Sequence, residues 1–421
     1  MTTATTFSAF KSRNFRLYFS GQSVSLLGTW MQRTAASWII YTLTHSTFIL
    51  GLAAFAFLFP SFVLSVAGGV VSDRYNRYKV LLWTQVASMV QAIVLAAMIL
   101  LNYYSVWGII VLGIILGIIN AFDVPARQSL VYEMVDDKND LANALALNSS
   151  MVTLTRIIGP AIAGFVLVKF GDGICFALNA LSFVAVIISL LQMRMPDYLS
   201  KPHPKKASEE LKEGLAYLKQ TPSIRYVLLM LTLISLFSLP FANLIPIYAD
   251  QVFHGNAKTF GVIEGVIGLG SFGAAIFLAS QKPGTNLKKI LAINTLVLGA
   301  GLILLSHEAN YLLFLVFCTM AGYGWMSQIT ISNTIVQTTV IPSMRGRVVS
   351  FYAMAVFGMM PLGGLLIGTV SHLIGTQNTI LAEGIVALII GLFHVRFLRL
   401  NKKKMQSLRQ QVEMAHAMEI A

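Results

Sequence analysis

Residues 47–79 read TFILGLAAFAFLFPSFVLSVAGGVVSDRYNRYK. The first 25 carry no charge, and the last eight carry Asp73, Arg74, Arg77 and Lys79. An α-helix rises 1.5 Å per residue, so about 20 apolar residues cross the hydrocarbon core of a bilayer. A water-soluble helix of this length carries charged side chains along one face, and this stretch has none. The abrupt change to a basic segment marks the place where such a helix leaves the membrane.

Working outward, the same pattern recurs. Runs long enough to span lie at 15–43, 47–71, 79–101, 105–125, 141–168, 174–193, 224–249, 257–280, 288–306, 311–338, 347–372 and 376–397, twelve in all. They do not alternate with period two, and they hold internal Gly and Ala of the kind that helix contacts in lipid favour. The expected fold is therefore an all-α integral membrane protein of twelve transmembrane helices. Composition agrees. Of 421 residues 56% are hydrophobic and 11% charged, against about 25% charged in soluble chains; mean hydropathy is +0.73. Cys175 and Cys318 lie far apart in apolar runs and read as free thiols.

The formal net charge is +13. In a soluble protein this would suggest nucleic acid, but no basic soluble domain exists here to bind it. Residues 1–14 are polar and the first apolar run is too long for a signal segment, so the N-terminus is expected to stay in the cytoplasm. An even number of spans then returns the C-terminus to the same side. With that topology 26 of the 30 Lys and Arg residues fall in cytoplasmic loops and tails. Lys169 and Lys258 fall outside, and Arg33 and Arg156 fall within spans. This is the positive-inside distribution, with a contact to anionic lipid headgroups as its corollary.

The long polar interior stretch, 194–223, separates a six-span bundle at 1–193 from another at 224–400, with a basic tail at 401–421. Its EELKEGLAYLK portion reads as an amphipathic helix on the membrane face. The halves echo each other. At an offset of 210, Gly51, Phe62 and Lys79 match Gly261, Phe272 and Lys289; at 204, Gly164 and Gly171 match Gly368 and Gly375. Such duplications put a substrate site near the midplane between the halves.

Three motifs carry a resemblance. Gly69-Val-Val-Ser-Asp73-Arg74-Tyr-Asn-Arg77-Tyr-Lys79 resembles the loop signature of the major facilitator superfamily, with Tyr78 in place of one basic residue. Arg156-Ile-Ile-Gly159-Pro160-Ala-Ile-Ala-Gly164 resembles the antiporter signature of that superfamily. Phe15-Arg16-Leu17-Tyr18, Gly28-Thr29-Trp30-Met31-Gln32-Arg33 and Pro125-Ala-Arg127-Gln128 look like the branch of enterobactin exporters and macrolide efflux pumps. The resemblance implies the major facilitator fold of two six-helix halves. It also implies a conformational latch built on Gly69, Asp73, Arg74 and Arg77. Gly69 would let helix ends approach closely, and Asp73 would be the key residue. The equivalent loop of the second half has Pro283-Gly284 instead. One departure bears on coupling: many drug–proton antiporters of the family carry an Arg in span 4, where this chain has Val111-Leu-Gly-Ile-Ile-Leu-Gly117.

Charges inside a membrane are costly and mark function. Arg33 lies about ten residues from the outer end of its span, about 15 Å deep. Gln22, Ser25, Thr29 and Arg33 share a helical face by their spacing. Together with Asn148 and Gln328 and Asn333 of span 10, these are candidate cavity residues; Ser332 is a further uncharged contact. Arg156 lies near the middle of span 5. Glu264 and Glu383 each sit about 10 Å deep, and as carboxyl groups withdrawn from water they are the proton-carrier candidates. Asp123 is expected to form a salt-bridge gate with Arg127 or Arg74.

Gly268-Leu-Gly270-Ser-Phe-Gly273 matches a dinucleotide pattern but lies inside a span without a preceding strand, so it reads as helix packing. No phosphate-binding loop, nucleophile elbow or metal-ligand spacing is present, so no cofactor, metal site or enzymatic activity is expected. The expectation is a monomeric bacterial inner-membrane exporter working by alternating access. It would move a small amphipathic siderophore or drug against protons. Three alternatives stand beside it: a nutrient importer, a lysophospholipid flippase, and a receptor or assembly factor that transports nothing.

Overall fold

The computed structural model describes residues 7–195, 207–282, 284–341 and 344–420. Side chains of Val66, Asp73, 207–211 and 401–420 lie outside the described set, and so do linker residues 196–206. The first half holds α1 (Arg13–Thr44), α2 (Thr47–Arg74), α3 (Arg77–Leu100), α4 (Val106–Met134), α5 (Leu141–Phe170) and α6 (Asp172–Leu191). Helix α7 (Ala207–Gln220) is the amphipathic linker helix. The second half holds α8 (Pro222–Val252), α9 (Ala257–Ala279), α10 (Leu287–Ser306), α11 (Tyr311–Thr339), α12 (Arg345–Ile374) and α13 (Thr376–Ile420). No strand occurs among the described residues.

Among the described residues, eleven helices are long and apolar enough to cross a membrane. Helix α1 is the twelfth span. It is less apolar because it carries Gln22, Gln32 and Arg33, but it packs along α5 and α6 inside the bundle. Several helices run past the apolar stretches that mark them in the sequence: α4 continues beyond residue 125 to Met134. Two spans are not regular. In α8 the α-helix stops at Phe237, a 3-10 segment follows over Leu239–Leu244, and a π-turn closes it at Tyr248–Val252. Pro240 and Pro246 remove backbone donors there. In α12 a π-turn occupies Met354–Gly358.

The duplication is visible in the helix ends. Ser46 and Asn256 cap α2 and α9, and Asn76 and Asn286 cap α3 and α10, each pair 210 residues apart. Gly171 and Gly375 close α5 and α12 at φ +84° and +85°, a conformation that favours glycine. Packing repeats too: α2 lies on α4 as α9 lies on α11, and α3 lies on α6 as α10 lies on α13. Outside these contacts the surface is apolar, with Trp83, Leu181 and Phe393 more than half exposed, as lipid-facing helices require.

The halves meet mainly along α5–α9 and α2–α12. A Cβ on Gly164 would lie 2.6 Å from the Ala257 carbonyl oxygen, and one on Gly51 would lie 2.6 Å from that of Gly364. Gly261 and Gly368 complete the two crossings. Only the absence of side chains lets these backbones approach so closely. The four glycines are the ones related by the internal offsets, so the two contacts are images of each other. Both lie toward the end opposite α7. At the α7 end, Arg347 pairs with Glu213 at 2.6 Å and tethers the linker helix to α12.

Candidate functional site

At mid-depth between the halves, four helices bring a charged cluster together: Arg33 from α1, Arg156 from α5, Glu264 from α9, and Trp325 from α11. The Cζ atoms of Arg33 and Arg156 lie 5.3 and 5.4 Å from the centre of the Trp30 ring. That of Arg156 also lies 3.7 Å from the centre of Trp325, so a first-half cation stacks on a second-half indole. Gly159 makes this possible: a Cβ there would meet that of Trp30 at 2.5 Å. The motif at 156–164 thus works on three neighbours. Arg156 reaches α11, Gly159 seats α1, and Gly164 crosses α9.

Glu264 attracts both guanidinium groups, and these repel each other. No ion pair within 4 Å joins the three among the described residues. Each is only half-buried although protein surrounds it, so the cluster borders open space and its polar atoms are free to meet a ligand. The Trp325 Nε1 is buried and has no partner. Unlike Trp30, Trp325 stands in no motif. Its role depends on a contact between halves that are 169 positions apart in the chain at these two residues, and no local signal marks it.

The other expected site residues scatter. Thr29 hydrogen-bonds its own helix, its Oγ1 donating to the Ser25 carbonyl at 2.9 Å. Ser25 turns away toward Gln85 of α3 at 3.5 Å. Gln22 is buried with Oε1 unpartnered. Asn148 accepts from the Tyr18 hydroxyl at 2.8 Å. Gln328 accepts from Thr295 at 3.2 Å within the second half, while its Nε2 has no partner. Asn333 accepts from Gln337 at 3.1 Å. Glu383 is not part of the central cluster. It lies buried between α8 and α13, its backbone carbonyl accepting from Ser238 at 3.1 Å and both carboxyl oxygens without a partner. A buried amide network that the sequence did not suggest, Gln32 with Gln91 at 3.2 Å and Asn179 at 2.7 Å, ties α1 to α3 and α6.

The residues expected to form a gate, Asp123 and Arg127, join a network inside the first half. Asp123 Oδ1 accepts from Thr84 at 2.9 Å and Gln85 at 2.6 Å, and Oδ2 lies 3.3 Å from Arg127 Nε. Its partner is therefore Arg127. Arg74 is exposed and forms no ion pair among the described residues. Asp123→Ala leaves a buried cation and two donors stranded, and is expected to cost about 3–5 kcal/mol of stability, read as a lowered unfolding midpoint of the purified protein. Retention of the wild-type midpoint would show that the bonds from Thr84 and Gln85 to Asp123 are not holding α3 to α4.

The latch segment needs one correction. A Cβ on Gly69 would meet nothing within 4 Å, so Gly69 is not the point of close approach in this conformation. Gly68, turned about 100° around the helix, faces the Ala121 carbonyl of α4 with no room for a Cβ. Gly69→Ala is expected to leave stability unchanged or raise it by up to about 1 kcal/mol, as Ala is the better helix former. Gly68→Ala is expected to lower it, and thermal unfolding of the two variants separates them. Arg77 pairs with Glu133 at 2.6 Å and donates to the Ser72 carbonyl at 3.2 Å. The side chain of Asp73 lies outside the described residues. Around Gly268 and Gly270 the backbone packs against Ile157 of α5 and Thr319 of α11, which is the packing role expected of that motif.

Residues 4–420 match the profile of a family described as transmembrane secretion effector. The chain is 25% identical to the staphyloferrin A transporter of Staphylococcus aureus, over 89% of its own length and 94% of the relative's. It is 24% identical to macrolide efflux protein A of Streptococcus pyogenes, covering 91% and 96%. To the enterobactin exporter EntS of Escherichia coli it is 26% identical, covering 90% of each. Among solved structures, a bacterial homologue of the human lysosomal transporter Spinster, inward-facing and unoccupied, superposes with a TM-score of 0.72 at 13% identity, covering 92% of this chain and 96% of that one. The nucleoside transporter NupG gives 0.71 at 12% identity, covering 91% and 99%.

Proposed function

This chain belongs to the transmembrane secretion effector family of the major facilitator superfamily, and from that premise we propose that it exports a small amphipathic siderophore or drug in exchange for protons. The siderophore and macrolide cargoes named for its relatives support the substrate class. The observation that carries the coupling is the position of Glu264, a half-buried carboxyl between Arg33 and Arg156 at the junction of the halves.

The cycle follows from the two glycine crossings. They close the end opposite α7, and the positive-inside distribution puts the α7 end in the cytoplasm, so this conformation loads from the cytoplasm. An ionised Glu264 accepts hydrogen bonds from substrate hydroxyl or amine groups, while the two arginines and Trp325 Nε1 meet its acceptors. Rocking of the halves breaks the glycine contacts and exposes the cluster to the outside. Uptake of a proton there removes the negative charge that strengthens those hydrogen bonds and releases the substrate. Return to the inward state delivers the proton. Glu383, buried apart from this route, is the second carrier candidate. Asp123 and Arg127, with the segment carrying Asp73, Arg74 and Arg77, bias the equilibrium between the two states.

The test is substrate-dependent proton movement in proteoliposomes holding an internal pH dye and an imposed pH gradient. A panel of siderophores, macrolides, cationic drugs and lysolipids is added singly. Gradient collapse with one class supports the proposal. Substrate flux without proton movement refutes antiport and leaves export.

A further inference from the structure

Away from the cluster, the lipid-facing side of the first half carries a groove of about 610 Å³ between α2, α3 and α4. It exists because α2 is drawn onto α4 at Gly68, while α3 leans on α4 and α6 and leaves a wedge beside α2. Val71, Val80, Trp83, Ala87, Ile118 and Phe122 make the walls apolar. The groove opens sideways: Trp83 is 70% exposed and Ile118 38%. The α3 and α4 walls belong to candidate membrane spans, so this opening faces lipid.

Asn76 and Lys79 line one end of the groove, and Thr84 is a polar residue along its otherwise apolar α3 wall. Lys79 is exposed and forms no ion pair among the described residues. From Lys79 to Ala87 the groove follows α3 for about 12 Å, close to the roughly 15 Å of hydrocarbon in one leaflet. An apolar slot of one leaflet's depth with a cation at its interfacial end matches an acyl chain beneath a phosphate.

We propose that this groove is a binding site for one anionic phospholipid, its chain along α3 against Trp83 and its headgroup on Lys79. The site also reaches the gate. Thr84 lines the groove, and its hydroxyl donates to Asp123. An occupant therefore lies one hydrogen bond away from the Asp123–Arg127 pair, through Thr84.

The test uses the full-length protein in phosphatidylcholine vesicles with a minor fraction of chain-brominated phosphatidylglycerol, or of chain-brominated phosphatidylcholine at the same fraction. Bromine quenches nearby indoles, and the difference between wild type and Trp83→Phe isolates the Trp83 signal. Brominated phosphatidylglycerol is expected to quench Trp83 with at least a threefold higher apparent affinity than brominated phosphatidylcholine. Lys79→Gln is expected to erase the preference and Lys79→Arg to keep it. Equal quenching by the two lipids in wild type would mean ordinary bilayer contact and overturn the proposal, as would a preference that survives Lys79→Gln. Absence of Trp83 quenching by either brominated lipid would mean that no acyl chain enters the groove and would also overturn it. The wild-type comparison needs no variant other than Trp83→Phe, so a poorly folded Lys79 variant does not block the result.

Discussion

Glu264→Gln is expected to abolish substrate-driven proton movement, lowering it by about 100-fold or more, the scale on which positioned proton-transfer groups act, while folded protein remains in the membrane. Gln has the same shape and keeps one carbonyl acceptor, but it neither binds nor releases a proton. The cluster makes the prediction specific. Among the described residues, Glu264 is the carboxyl that interacts with both Arg33 and Arg156, so its charge state decides whether the three together carry one excess positive charge or two. Glu264→Asp keeps the titratable group on a shorter arm and should retain partial coupling. Glu383→Gln, measured in parallel, separates the two carboxyls. Loss of coupling there with retention in Glu264→Gln would transfer the carrier role to the site between α8 and α13. Wild-type coupling in Glu264→Gln would remove this residue from the mechanism. A folded-state check by gel filtration accompanies each variant.

Gly164→Val is expected to hold the molecule open at the end that this conformation closes. The added Cβ would sit 2.6 Å from the Ala257 carbonyl oxygen and 3.1 Å from the Gly261 Cα. Both are backbone atoms and neither can rotate away. Overpacking of this kind costs about 1–3 kcal/mol, and a bias of that size between two states changes their ratio about 5–150-fold. Because only the closed state contains the contact, the cost falls on that state and the outward-open population grows. Gly368→Val should act alike through the other crossing, where a Cβ lies 2.7 Å from the Thr47 carbonyl oxygen. A reporter Thr47→Cys, beside Gly368 in the closed end, reads the change as faster labelling by a membrane-impermeant maleimide in the Gly164→Val background. The native thiols Cys175 and Cys318 are buried and stay silent. Unchanged labelling together with unchanged transport would mean that the α5–α9 crossing does not set the closed state. Substitution at Gly346, where a Cβ meets nothing within 4 Å, is the matching control.

The twelve spans and the two halves were legible in the chain because a bilayer leaves little choice. Backbone groups in hydrocarbon must be paired within the segment, so a long apolar run becomes a helix. The glycines at 51, 164, 261 and 368 were legible as a repeat, and the fold gives the reason: they are the points where the halves touch. Arg33, Arg156 and Glu264 stood out individually, since charge in an apolar run is conspicuous wherever the side chain points. Their meeting was another matter. Which charges share a space depends on how each helix is rotated and where it crosses its neighbours, and that is set by packing across both halves. Tertiary structure therefore decided that Glu264 joins the arginines while Glu383 does not. It also decided that Arg156 lies on Trp325, that Asp123 takes Arg127 rather than Arg74, and that Gly68 rather than Gly69 is the close contact. A one-residue step turns a helical side chain by about 100°, which an apolar run without polar stripes does not register.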